Sequence, residues 1–196
     1  MPSSVDISNM ALAHLGARTQ VSSISPPDGS VEAGYCARFY PLARRELLEL
    51  AHWSFSETRA PLAPLVNDSD FWLYAYALPS NCITPLRVLV QGRPERESAL
   101  FTQEGGVVYT DEEDATLVYT QDITDTTRFG PLFSSTLSML LAAYLAGPII
   151  KGLDGARTGA TWRQNALVAA GLAAAADANR ANTSEGHTPS SVQARE

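Results

Sequence analysis

Residues 35–55 read YCARFYPLARRELLELAHWSF, the clearest helical period in the chain and a run of unusually large side chains. At about 100° per residue, Cys36, Phe39, Tyr40, Ala43, Leu47, Leu50 and Ala51 share one broad face. Arg38, Arg45 and Glu49 fall opposite, and Arg44 and Glu46 flank the apolar stripe. The spacing predicts an amphipathic helix held by burial, since an Arg45–Glu49 pair one turn apart adds only about 0.3 kcal/mol. Pro41 removes a backbone donor from the middle of it and is expected to kink the helix. The stripe stays in phase across the proline, which disfavours the alternative of a full break with Pro41 opening a second helix.

Outward from this segment, Ser3 or Ser4 can cap a first helix over Val5–Leu15, with Val5, Met10, Ala11 and Leu15 towards one side and Gly16 ending it. Pro26, Pro27, Asp28 and Gly29 then make a turn-rich loop, and Ser30 can cap the long helix. That helix is expected to close around His52–Phe55. Residues 57–70 hold Pro61, Pro64 and Asn67-Asp68, which argue for an extended connection.

The texture then changes. Phe71–Leu78 alternates aromatic and small residues, and strand-like runs follow at 86–91, 98–102, 107–110 and 116–120. Gly105-Gly106 and the acidic run Asp111–Asp114 supply turns, which together predict one antiparallel sheet inserted between helices. The helical period returns at Pro131–Leu145, apolar on most sides, with Gly147-Pro148 expected to end it. A fourth, alanine-rich helix spans about 156–178 and carries Trp162, Leu167 and Leu172. Residues 179–196 have almost no large apolar side chains and are expected to form a flexible tail.

The expectation is an α+β protein: a bundle of about four helices from 1–56 and 126–178, an inserted antiparallel β-rich domain at 57–125, and a C-terminal tail at 179–196. With 196 residues and 45% hydrophobic content, the chain can bury a core without staples. Its net charge of −7 disfavours an overall role on nucleic acid or anionic lipid. Cys36 and Cys82 lie far apart, with no histidine at a zinc-like spacing, and read as two reduced, buried thiols in a cytosolic setting. The N-terminus lacks a basic segment followed by an unbroken apolar core, which argues against a signal peptide. The run 132–150 is too interrupted for a membrane span and reads as a buried helix.

A search for chemistry yields little. His14 and His52 lie at helix ends, His187 lies in the polar tail, and none stands in a metal or nucleophile motif. Asp111, Glu112, Glu113 and Asp114 lack the alternation and central glycine of a calcium loop and read as a solvated turn, with Asp122 and Asp125 as turn or cap residues. Cys36 falls on an apolar face, so packing outweighs nucleophilic use. Phe71, Trp72, Tyr74 and Tyr76 lack interleaved basic residues and read as sheet packing rather than a base-stacking platform. No catalytic, cofactor or metal residues are assigned.

The order of segments is itself a pattern: a short N-terminal helix, CARFYPLARRELL at 36–48 with Trp53-Ser54-Phe55 just after it, Tyr76-Ala-Leu-Pro-x-x-Cys82 within WLYAYALPSNCITPLRVL, YTDEEDATLVY at 109–119, and an apolar helix after FGPLF at 129–133. In this order the chain up to about residue 178 resembles the tail tubular protein A family of short-tailed bacteriophages, the head-to-tail adaptors beneath the portal. The resemblance implies a non-enzymatic adaptor made in the host bacterial cytoplasm and placed in the virion neck. It implies a homo-oligomeric ring of about twelve copies closed by cyclic symmetry. The portal and a distal tail (nozzle) protein would be its partners, DNA would pass through the channel without specific binding, and neither cofactor nor membrane would be involved. Arg38, Arg45 and Glu49 are the candidates for inter-subunit contact, and Asn179, Arg180, His187, Val192 and Arg195 for a portal-docking tail. Two other classes stay open: a metal-dependent hydrolase using 111–114 with Asp122, and a monomeric binding or regulatory module.

Overall fold

The computed structural model describes residues 1–95 and 97–181, and the protein is α+β, with four α-helices and two antiparallel sheets among those residues. Helix α1 (Ser4–His14) opens on a capping box: Ser3 Oγ accepts the Asp6 N–H at 3.1 Å, and the Asp6 carboxylate accepts the Ser3 N–H at 2.8 Å. Its buried side is Ile7, Ser8, Ala11 and Leu12, with Val5 and Leu15 packed against the core; of the residues expected there, Met10 is exposed. The loop that follows is braced by two side chains. Asn9 both donates to and accepts from the Val21 backbone, and the Asp28 carboxylate takes the N–H groups of Ser22 and Ser30. The Ser30 hydroxyl, which donates to the same carboxylate at 2.6 Å, and then these N–H groups hold the Asp28 carboxyl well below the usual range.

Helix α2 (Val31–Leu50) is capped by Ser30 and runs through Pro41 without interruption. The exposed proline ring does not divide it, because packing of Cys36, Tyr40, Ala43, Leu47 and Leu48 continues on both sides. Two residues depart from the expected stripe: Leu50 is exposed and Arg44 is buried. The helix also stops short of His52. Trp53 turns inward beyond it and donates its indole N–H to the Leu47 carbonyl at 2.8 Å, so one side chain caps the exit of α2 and fills the core. Phe133 meets Trp53 edge-on at 4.9 Å between ring centroids, and Phe129 and Phe55 complete the aromatic cluster.

Between α2 and the third helix lie seven strands. One sheet orders β1 (Glu57–Pro61), β7 (Thr116–Gln121) and β4 (Cys82–Leu89), with β7 central. The other orders β2 (Ala63–Leu65), β3 (Tyr74–Ala77), β6 (Val107–Thr110) and β5 (Phe101–Glu104). The expected single sheet is thus two, which share an apolar cluster of Tyr76, Val88, Val108, Leu117 and Tyr119. The stretch 57–70 is extended, as expected, and it also pairs, since it contains β1 and β2. Both are edge strands, where a proline's missing N–H can face outward, so Pro61 and Pro64 did not exclude pairing.

Helix α3 (Pro131–Ile150) continues past Gly147-Pro148, which was expected to end it. Pro148 sits in the last turn, where its missing donor costs one bond, to the Tyr144 carbonyl, and the Lys151 N–H still closes on the Gly147 carbonyl at 3.0 Å. Among the described residues α3 is the one helix long and apolar enough to cross a bilayer by length and composition, and here α1, α2 and α4 cover it. The chain reverses at Lys151 (φ 63°) and Gly152 (φ 60°) into α4 (Gly152–Ala181), longer at both ends than the alanine pattern predicted. The two helices touch backbone to backbone. A methyl at Gly155 would stand 2.9 Å from the Ala146 carbonyl oxygen, and one at Gly159 would stand 3.0 Å from that of Ala143.

Asn179 and Arg180 belong to α4, so the segment expected as a flexible tail begins as helix. His187, Val192 and Arg195 lie outside the described residues.

Candidate functional site

The outer face of α2 carries Arg38, Leu42, Arg45 and Glu49, spaced by four, three and four residues and all exposed. The three polar residues expected at a subunit contact therefore do share one surface. Beside it, β4 contributes Cys82 and Ile83 and α3 contributes Tyr144, forming with Leu42, Arg45, Glu46 and Glu49 an open recess of about 430 Å³. Ile83 and Tyr144 were not flagged in sequence. They come from segments 41 or more residues from Leu42, and no local pattern announces such a meeting.

Polar bonds fix the walls of the recess. Glu46 accepts the Tyr144 hydroxyl at 2.5 Å through one carboxylate oxygen and the Arg163 guanidinium at 2.5 Å through the other, joining α2, α3 and α4. Burial raises the Tyr144 phenol, and the Glu46 carboxylate adds to it, so the hydroxyl stays a donor. Behind them Arg44 donates through Nε and Nη2 to Asp122 Oδ1 at 3.1 and 2.7 Å, while Arg45 Nε stands 3.7 Å from Asp122 Oδ2. This pairing ties the bundle to the end of β7. Asp122, read as a turn residue, is a partner for two arginines. The Cys82 thiol is pushed up to about 11 by burial, which keeps it protonated and a weak nucleophile.

Other sequence candidates fall elsewhere. The Cys36 thiol is fully buried and pushed up to about 11. His14 lies against Trp162, the ring centroids 4.3 Å apart and the planes tilted by 34°, and 3.1 Å from Ser138 Oγ, with burial lowering its pKa. His52 Nε2 lies 2.8 Å from Glu57 at the start of β1. In the acidic turn, Asp111 accepts the Leu73 N–H at 3.0 Å and Glu112 pairs with Arg93 at 2.9 Å. Asp122 lies beyond the far end of β7, whose six residues span about 20 Å, so the turn and Asp122 do not share a site. Among the described residues no three histidine, cysteine or acidic side chains gather as a metal site. The Tyr40 hydroxyl is buried without a protein hydrogen-bond partner, beside a second recess whose one charged lining group, Arg44, is already paired with Asp122.

The second surface that sequence reasoning missed is the β2–β3 loop. Phe71 was expected to pack in a sheet, yet β3 begins only at Tyr74, and Phe71 is 90% exposed. Val66 and Leu73 beside it are 85% and 70% exposed. Asn67 organises the loop by donating to the Trp72 carbonyl at 2.6 Å and accepting the Ser69 N–H at 3.0 Å; Ser69 Oγ then accepts the Phe71 N–H. The available signal was NDSD at 67–70, a run of side-chain turn formers placed directly before an aromatic.

No known protein-family model matches the chain, and no curated protein does.

Proposed function

We propose that the protein is a structural head-to-tail adaptor of a short-tailed bacteriophage. In this reading it acts as one protomer of a ring beneath the portal that joins head to distal tail and surrounds the passage for DNA. The observation that carries the reading is where the large apolar side chains of α4 lie. This 30-residue helix turns alanines and glycines inward and leaves Leu153, Val168 and Leu172 exposed along its length, a surface suited to a neighbouring subunit. The segment order and the net charge of −7, which would not hold passing DNA, support the same function.

In this proposal the protein has no catalytic role. Asp122, which a hydrolase built on the acidic turn would need, is engaged by Arg44 at the other end of the β module. The portal and a distal tail protein are its partners, and the virion neck is its place. Negative-stain imaging and mass photometry of the full chain, alone and with its cognate portal, test the proposal. Rings on the portal are expected, and monomers that remain unattached in the presence of portal would overturn it.

A further inference from the structure

We propose that the recess between α1, the loop joining α1 to α2, α2 itself and the segment after β7 binds a small neutral molecule, one with an apolar body and a hydrogen-bond-accepting oxygen such as that of an amide or ketone. The recess holds about 350 Å³, at the lower end of the range for small-molecule pockets. Stretches far apart in sequence build it. Ser4 comes from the first turn of α1, Ser25 from the loop, Tyr40 and Arg44 from α2, and Thr124 from beyond β7.

Tyr40 is the group that points to a ligand. It is only 5% exposed, yet its hydroxyl has no hydrogen-bond partner among the described residues. A buried hydroxyl has given up its bonds to water and, left unpaired, has gained nothing in exchange. Burial pushes the phenol up to about 12 against the opposing pull of Arg44, so near neutral pH it keeps its proton and can donate. One ordered water would satisfy it, but a water takes about 30 Å³ and would leave the apolar lining uncovered.

The rest of the lining decides what the acceptor belongs to. Arg44 is the one charged residue there, and its Nε and Nη2 already meet Asp122, so its charge is balanced within the protein. Among the described residues no carboxylate lines the recess to hold a cation, and no unpaired guanidinium lines it to hold a carboxylate or phosphate. A neutral ligand is what remains. Ile24, Ala37 and Pro41 supply apolar surface for its body, and the Ser4, Ser25 and Thr124 hydroxyls can each donate or accept at its edges. Such a ligand would touch α1, α2 and the chain leaving the β module at once, and would stabilise their junction by mass action.

The test titrates the full-length protein with benzamide and, separately, with benzoate and benzylammonium, ions of similar size, following the Ile24 and Ala37 methyl resonances by NMR. Benzamide is expected to shift both methyls and to bind at least about tenfold more tightly than either ion. Tyr40→Phe should weaken benzamide binding by about tenfold and leave the melting temperature unchanged or higher, because it removes an unpaired hydroxyl with little change of shape. Ala37→Leu, which fills the recess, should abolish binding with Tyr40 in place. Methyls that do not shift with benzamide near its solubility limit would overturn the proposal, and a lowered melting temperature of Tyr40→Phe would then assign the phenol an ordered water only. Tighter binding of benzoate would overturn the neutral class, and equal affinity in Tyr40→Phe would overturn the part given to the hydroxyl. Ring formation on the portal enters none of these readouts, so their failure leaves the adaptor reading standing.

Discussion

Helices α2 and α4 are long members of the same bundle, held in opposite ways. α2 turns Tyr40, Leu47 and Leu48 inward and shows Arg38, Arg45 and Glu49 outside, together with Val31, Leu42 and Leu50. α4 turns Gly155, Gly159, Ala166, Ala170 and Ala173 inward and shows Leu153, Val168 and Leu172 outside. The first is held by the apolar area of large side chains. The second is held by proximity, because removing side chains lets two backbones approach until dispersion between them replaces side-chain burial. The difference therefore lies in the core faces, large side chains on α2 and small ones on α4, since both helices leave some large apolar residues outside.

The most direct way to break the comparison is to remove volume from α2. Leu47 is fully buried in the main cluster, so Leu47→Ala should cost about 2–5 kcal/mol in denaturant unfolding. A loss under about 1 kcal/mol would mean the site collapses and α2 is not held by fit. Adding volume is the matching change for α4. Gly155→Ala places a methyl 2.9 Å from the Ala146 carbonyl oxygen, backbone that cannot swing aside, and should cost about 1–3 kcal/mol although alanine is the better helix former. A stabilised Gly155→Ala would show that propensity, not approach, governs α4.

His14 links the two modes, since it lies on α1, contacts Ser138 of α3 and packs at a tilt against Trp162, a half-buried large side chain of α4. Burial lowers its pKa in the folded state, so the unfolded chain binds the proton more tightly. Stability should be full above the ordinary histidine pKa of about 6.5 and fall as pH drops through that value towards the lowered one. His14→Gln should flatten this part of the melting profile. An unchanged slope would assign it to other groups.

The comparison also explains what could be read from sequence. α2 was legible because size and period agree there, and β6 because Gly105-Gly106 turns tightly beside a β-branched run. β1 and β2 were hidden by Pro61 and Pro64, since a proline signals exclusion from a sheet interior and says nothing about an edge. The end of α3 was misplaced because Gly147-Pro148 looks like a stop wherever the next helix is not known to pack on it. Of the candidate site, Arg38, Arg45 and Glu49 were visible as one helical face. Ile83, Tyr144 and Asp122 were not, because their role depends on strands and helices meeting across the fold. Phe71 was misread because alternation of aromatic and small residues continues from the β2–β3 loop into β3 without a break.

The smallest expected effect is the sharpest test of the outer face of α4. Leu172 is 71% exposed, so Leu172→Gln removes little buried area and should change stability by no more than about 0.5 kcal/mol. A loss above about 1 kcal/mol would mean that this face is covered in solution. Concentration would then identify the cover: a melting temperature that rises with protein concentration in the wild type, and not in Leu172→Gln, would assign it to a second copy, because only association makes stability depend on mass action. A concentration-independent loss would instead place the cover within the same chain, and α4 would then be held on both faces.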